Sequence, residues 1–331
     1  MMDESPSRRT VLKGLAAGLA TATVGTSAAS AATGDSASGW TVAETPTGKA
    51  LHDVVYTDAG AFAVGGGGIV LERTETGWTK VIDGGPTGNG NDLYGADVTD
   101  DGERLWFVGA SGAIGEYDVA AGVLTDHSAP NDYTNNFNAV SVTGTADEAN
   151  VYIADDSGIE HYSFANGTTG TWDYTKPGSG AALTAIDFHD TRSGHVVDTN
   201  GKVFATDDGA TWDVVGIADA NVNFYGVDSD GPDDVWVAGG GGMVFHWTGS
   251  RWVPTDLGDK SLRDVEVVTS TAADGDAVCD GYTVGGGGAV YDLTDDVWSQ
   301  DQTPTGSNLK AVARGEPTIA VGAGGTIIEG N

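Results

Sequence analysis

The chain has 331 residues, enough for one large or two small domains, and carries 48 acidic against 15 basic residues, a formal net charge of -33. That balance argues against gripping nucleic acid, because neutralising a phosphate backbone takes lysines and arginines. The single cysteine, Cys279, excludes an internal disulfide and a cysteine-based zinc site, and in DAVCDGYTV it reads as a small buried residue.

The N-terminus comes first in chain order. Ser7-Arg8-Arg9-Thr10-Val11-Leu12-Lys13 resembles a twin-arginine export motif, with Arg8 and Arg9 as the signature pair. A weakly apolar segment follows from Gly14, and Ala29-Ser30-Ala31 offers an A-x-A cleavage site. Residues 1–31 are therefore expected to be a signal and 32–38 a linker, and the protein is expected outside the cytoplasm, tethered if the signal stays uncleaved. No later run of about 18 apolar residues occurs, so the mature chain is not expected to span a membrane. The acid is dispersed, not gathered in a tail, and resembles the haloarchaeal type of surface, in which salt screens self-repulsion.

The rest of the chain repeats. VGGGGIV at Val64 returns as VGASGAI at Val108, AGGGGMV at Ala238, VGGGGAV at Val284 and VGAGGTI at Val321. ADDSGIE at Ala154 and VDTNGKV at Val197 are divergent copies that keep one glycine. Before each lies a short apolar strand, starting at Leu51, Leu93, Phe137, Leu183, Phe224, Leu262 and Leu309. Those starts are spaced by 42, 44, 46, 41, 38 and 47 residues, and a period near 40 with short strands predicts a β-propeller. An aromatic precedes most glycine turns (Phe62, Trp106, Tyr152, Trp236, Tyr282), with His195 and Ile319 in the other two copies. The fourth strand usually begins at a tryptophan: Trp78, Trp172, Trp212, Trp252 or Trp298. Large apolar residues at fixed repeat positions are expected to fill the wedges between blades.

The seventh copy ends after its third strand. GWTVAETPTG at Gly39 aligns with VWSQDQTPTG at Val297, so the segment after the linker is expected to supply the missing outer strand. That closes an all-β, seven-bladed ring over residues 39–331 as one domain and removes its exposed edges.

At Ala205 the sequence reads ATDDGATW, which resembles the Asp-box S-x-D-x-G-x-T-W through Asp207, Gly209, Thr211 and Trp212. Its Asp is expected to hold the turn between third and fourth strands. The longer unit, as in FYGVDSDGPDDVWVAGGGGMVFHWTGSRW, resembles the Asp-box propeller repeats of photosystem II assembly and stability factors and their non-photosynthetic relatives. The resemblance covers nearly all of the mature chain. It implies a seven-bladed propeller, within a group spanning assembly factors, exported binding proteins and glycan-active enzymes.

Chemistry is sparse. The glycine runs lack the Lys-Ser or Lys-Thr of a P-loop and are followed by strand-like IVL or MVF, not a helix, so they read as hairpin turns. A sialidase-like site would need an arginine cluster, and Arg73 and Arg251 fall late in their blades. The six histidines show no metal spacing, and Asp228–Asp234 lacks the terminal Glu of a calcium loop and reads as a solvated hairpin. No cofactor or metal is expected. Asn166-Gly167-Thr168 is a glycosylation sequon in a loop.

One repeat position varies freely. The residue after each inner-strand Leu or Phe is His52, Tyr94, Asn138, Thr184, Tyr225, Arg263 or Lys310. If the first strand is innermost, these seven sit at the mouth of the ring beside the loops TGNGNDL and DYTNNF. Either they drifted at an exposed position, or they form a binding ring on a rigid scaffold. The expected function is a non-enzymatic, exported, monomeric binding propeller engaging a protein partner or surface ligand; the alternative is a glycan-binding or glycan-hydrolysing, sialidase-like propeller.

Overall fold

The computed structural model describes residues 39–271 and 277–330. Residues 1–38, which hold the expected signal and linker and with them Arg8 and Arg9, lie outside the described residues. No helix among the described residues is long and apolar enough to cross a membrane.

Seven four-stranded antiparallel sheets follow one another around a ring, each ordered first to fourth strand from the axis outward. The first strands start at the seven residues that the repeat predicts, from Leu51–Thr57 to Leu309–Ala313. Closure is also as predicted. The strand Trp40–Val42 pairs antiparallel with Ile327–Gly330, with Trp40 opposite Gly330 and Val42 opposite Ile328.

The loop after that strand explains why GWTVAETPTG resembles VWSQDQTPTG. Thr45 Oγ1 donates to the Gly325 carbonyl, and Thr303 Oγ1 donates to the Gly288 carbonyl. In both blades the loop from the fourth strand to the next first strand lies on the glycine hairpin. Gly288 and Gly325 have φ of +77° and +74°, and a Cβ on either would collide with a loop carbonyl, Thr305 O or Thr47 O. This is the one hairpin glycine that the divergent copies keep, as Gly158 and Gly201, and both have positive φ.

The apolar core is divided among the blade junctions. At most of them the second-strand aromatic of one blade faces the fourth-strand tryptophan of the next; blade 2 has no such tryptophan, and Phe62 of blade 1 packs against Tyr117 there instead. Trp236 meets Trp298 edge-on with ring centroids 6.0 Å apart, and Tyr282 meets Trp40 in the same way at 5.8 Å. Trp106 shares a cluster with Trp172, and Tyr152 packs with Trp212. Where the aromatic is Ile319, its partner is Trp78. Where it is His195, the tryptophan of the next blade, Trp252, lines the same cavity.

The innermost strands would leave backbone N–H groups bare toward the axis. Side chains of the preceding blade accept several of them: Asp53 takes Ala96 N–H, Asp97 takes Val142 N–H, Asp228 takes Val267 N–H and Asp264 takes Val312 N–H, at 2.6–2.9 Å. This corrects the reading of Asp228–Asp234 as a solvated loop. Asp228 and Ser229 are buried inside the strand Phe224–Gly231, and Asp234 already opens the next strand. Burial, then the charges of Asp230 and Asp187, hold the Asp228 carboxyl well above the usual range.

Candidate functional site

The seven variable residues share a backbone device. Each first strand pairs normally at its initial Leu or Phe, skips one residue, and resumes pairing two positions on. The skipped residue is His52, Tyr94, Asn138, Thr184, Tyr225, Arg263 or Lys310 in turn. All seven are therefore β-bulge residues, released from the ladder and re-aimed at the same end of the ring. That explains how the position varies while the residue before it stays Leu or Phe and the one after it Ala, Gly or Asp.

The seven line one cavity of about 730 Å³, together with Ala182, Thr199, Ser261, Gly286, Asn308 and Leu309. Several of them order one another. The Arg263 guanidinium lies 4.1 Å from the centre of the Tyr225 ring. The His52 and Tyr94 rings are 5.2 Å apart, and Lys310 Nζ lies 3.4 Å from His52 Nδ1. Asn138 Nδ2 donates to Leu183 O at 2.8 Å and Thr184 Oγ1 to Phe224 O at 2.9 Å, so these two bind the next blade rather than face outward alone.

The charge of this lining is opposite to that of the chain. It holds two cations and no carboxylate. Neither Arg263 nor Lys310 has an ion-pair partner among the described residues. Burial and the Arg263 charge lower the Lys310 pKa, with Asp92 opposing. Burial and Lys310 lower His52 to about 4, so its imidazole is neutral at pH 7 and accepts from the lysine. The nearby acids are occupied by their own loops: Asp92 accepts Gly67 N–H and Asp156 accepts Asn136 Nδ2. Burial, then Asp92 and Asp156, raise the Tyr94 pKa.

The Asp-box turn lies away from the mouth, between third and fourth strands of blade 4, and its hydrogen bonds sit one residue later than the motif suggests. Asp208, not Asp207, accepts the Ala210 and Thr211 N–H groups at 2.9 and 2.7 Å and the Thr211 hydroxyl at 2.7 Å. Those bonds to Thr211 hold the Asp208 carboxyl down at about 2. Gly209 takes φ +72° against Tyr152, and Trp212 Nε1 donates to Glu160 of blade 3. No group of three metal-ligating side chains occurs among the described residues. Cys279 is buried beside Thr269.

Sequence reasoning missed one cavity. A cleft of about 650 Å³ opens between blades 4 and 5 on the opposite face, lined by His195, Trp247, Trp252 and several aspartates. The signal is present in the repeat itself: His195 occupies a position that five other blades fill with Phe, Tyr or Trp.

A closed ring of seven four-stranded blades with a recessed, bulge-lined mouth defines a seven-bladed β-propeller. No family model and no curated protein matches the chain. Solved structures do. YCF48 from Cyanidioschyzon merolae superposes with a TM-score of 0.66 at 14% identity, covering 89% of this chain and 99% of that one. YCF48 bound to D1 peptide gives 0.67 at 12% identity, covering 89% and 96%. The WD40 propeller domain of Doa1 gives 0.69 at 11% identity, covering 89% and 97%. These likenesses establish the shared fold.

Proposed function

We propose that the chain is an exported, non-enzymatic propeller that engages a protein partner or surface ligand through the mouth, and that the engaged group is anionic. One observation carries this reading: seven bulge residues, one per blade, converge on a cavity with two cations and no carboxylate, in a chain of net charge -33. Holding Lys310 half-buried beside the charge of the exposed Arg263, with no counter-ion, costs free energy that an incoming carboxylate or phosphate recovers. Tyr94 and Tyr225 add aromatic area of the kind that anchors interfaces. The structure of YCF48 with a peptide supports a peptide-binding use of this fold. Export rests on the Arg8-Arg9 motif. The glycan-hydrolysing alternative calls for two carboxylates flanking a sugar, and the mouth offers hydroxyls, amides, aromatic rings and cations.

Affinity capture from cells, in molar salt, tests the reading. Tyr94→Ala, Tyr225→Ala, Arg263→Ala and Lys310→Ala combined should lower recovery of the captured partner at least tenfold. Undiminished recovery of every partner by a folded quadruple variant would overturn it.

A further inference from the structure

The cleft between blades 4 and 5 has an origin, a wall chemistry and a charge, and together they point to a ligand. Its origin is a missing aromatic. In blades 1, 2, 3, 5 and 6 the second-strand position carries Phe62, Trp106, Tyr152, Trp236 or Tyr282, four of them buried against the following blade. In blade 4 it carries His195, which cannot fill the same wedge, and a volume of about 650 Å³ stays open. His195 is itself buried and is held by Ser229, whose hydroxyl lies 2.7 Å from its Nδ1. Burial lowers its pKa to about 3, so it adds no positive charge at neutral pH.

The wall is aromatic. Trp252 and Trp247 both line the cleft, their rings 5.5 Å apart and tilted by 44°, and both stay partly exposed. Trp252 Nε1 donates to Val215 O, which fixes that ring. The rim is acidic. Asp207, Asp213 and Asp233 line the cleft and have no hydrogen-bond or ion-pair partner among the described residues. No lysine or arginine lines it. Two guanidiniums neighbour lining residues in sequence: Arg192, before Ser193, lies 3.3 Å from the Phe164 ring in blade 3, and Arg251, before Trp252, is solvent-exposed.

We infer that this cleft binds an organic cation, an ammonium group on a short apolar stem. Indole faces attract such a cation and the unpaired carboxylates complement its charge. A neutral ligand of the same shape gains only the aromatic contact. A bare metal ion gains no converging set of ligands. The same chemistry is available from a free quaternary amine or from a lysine side chain of a protein.

Titration calorimetry and tryptophan fluorescence in molar KCl separate these cases, with choline, its uncharged isostere 3,3-dimethylbutanol, and acetyl-lysine-methylamide as probes. Saturable binding of choline or of the lysine amide, at least tenfold tighter than the isostere, is expected; choline alone indicates a free amine, and the lysine amide a protein side chain. His195→Phe restores the residue type of the sister blades, so it should fold at least as stably and lose binding at least tenfold. Trp252→Leu should also lose it, and Arg263→Ala at the mouth should not. Equal binding of the isostere, retained binding in His195→Phe, or no saturable binding of either cation overturns the inference.

Discussion

Single residues in this propeller decide between solvation and burial of charge. Glu160 is the clearest case: it is buried in blade 3, and one oxygen accepts Trp212 Nε1 at 2.6 Å. Burial pushes its pKa up to about 8 against a pull downward from that hydrogen bond. The folded chain therefore holds a proton that the unfolded chain releases near pH 4.5. Folding binds more protons than unfolding between those values, so this residue's contribution to stability declines as pH rises from about 4.5 to 8 and is flat above. Glu160→Gln keeps an acceptor for Trp212 and has no proton to lose. Its melting temperature should exceed that of the parent by at least about 3 °C at pH 8.5, given about 2–4 °C per kcal/mol at this size, and the two should converge at pH 5. Parallel pH curves would contradict the assignment. The sequence offers no way to single Glu160 out among 48 acids, because its environment is made by a neighbouring blade. Asp207 against Asp208 is a smaller instance: the motif locates the turn, and only backbone geometry says which carboxylate closes it.

At the scale of elements, the repeat was legible because every blade solves the same packing problem. A short strand beginning with Leu or Phe, an aromatic before a glycine turn, and a tryptophan after the third strand each occupy a defined place in the wedge. The N-terminal strand was legible for the same reason, since Trp40 had to find a junction like that of its sister tryptophans. It packs edge-on against Tyr282 and donates from Nε1 to Asp301 Oδ2 at 2.7 Å. Trp40→Ala should cost about 3–5 kcal/mol, as core aromatic truncations do. Val42→Ala, at a position 59% exposed in the same strand, should stay within about 0.5 kcal/mol. Urea unfolding at constant salt measures both, and similar small losses would mean that the strand does not close the ring. What remained hidden at this scale was the bulge. Alternation of apolar residues cannot show that His52 or Lys310 has left the ladder, because the skipped hydrogen bonds depend on the partner strand. The inner-edge carboxylates were hidden likewise: Asp228 looks like surface acid until the next blade presents Val267 N–H to it.

For the whole molecule, the two faces of the ring differ in kind. The mouth collects one bulge residue from every blade and carries Arg263 and Lys310; the other face carries the Asp-box turn and the acidic cleft at His195. The ring shape makes the first surface possible, since only closure brings residues 52 and 310 together, with Lys310 Nζ 3.4 Å from His52 Nδ1. A partner bound at the mouth must touch several blades at once, so its affinity should rest on the seven residues collectively and on the two cations most. Site-specific photo-crosslinking in cells tests that claim most directly. A photoreactive residue placed at Tyr225, on the mouth, should yield a discrete partner adduct that Arg263→Glu with Lys310→Glu abolishes, while the same residue at Arg251, on the opposite face, should not yield that adduct. Adducts formed from position 251 and none from position 225 would contradict the account.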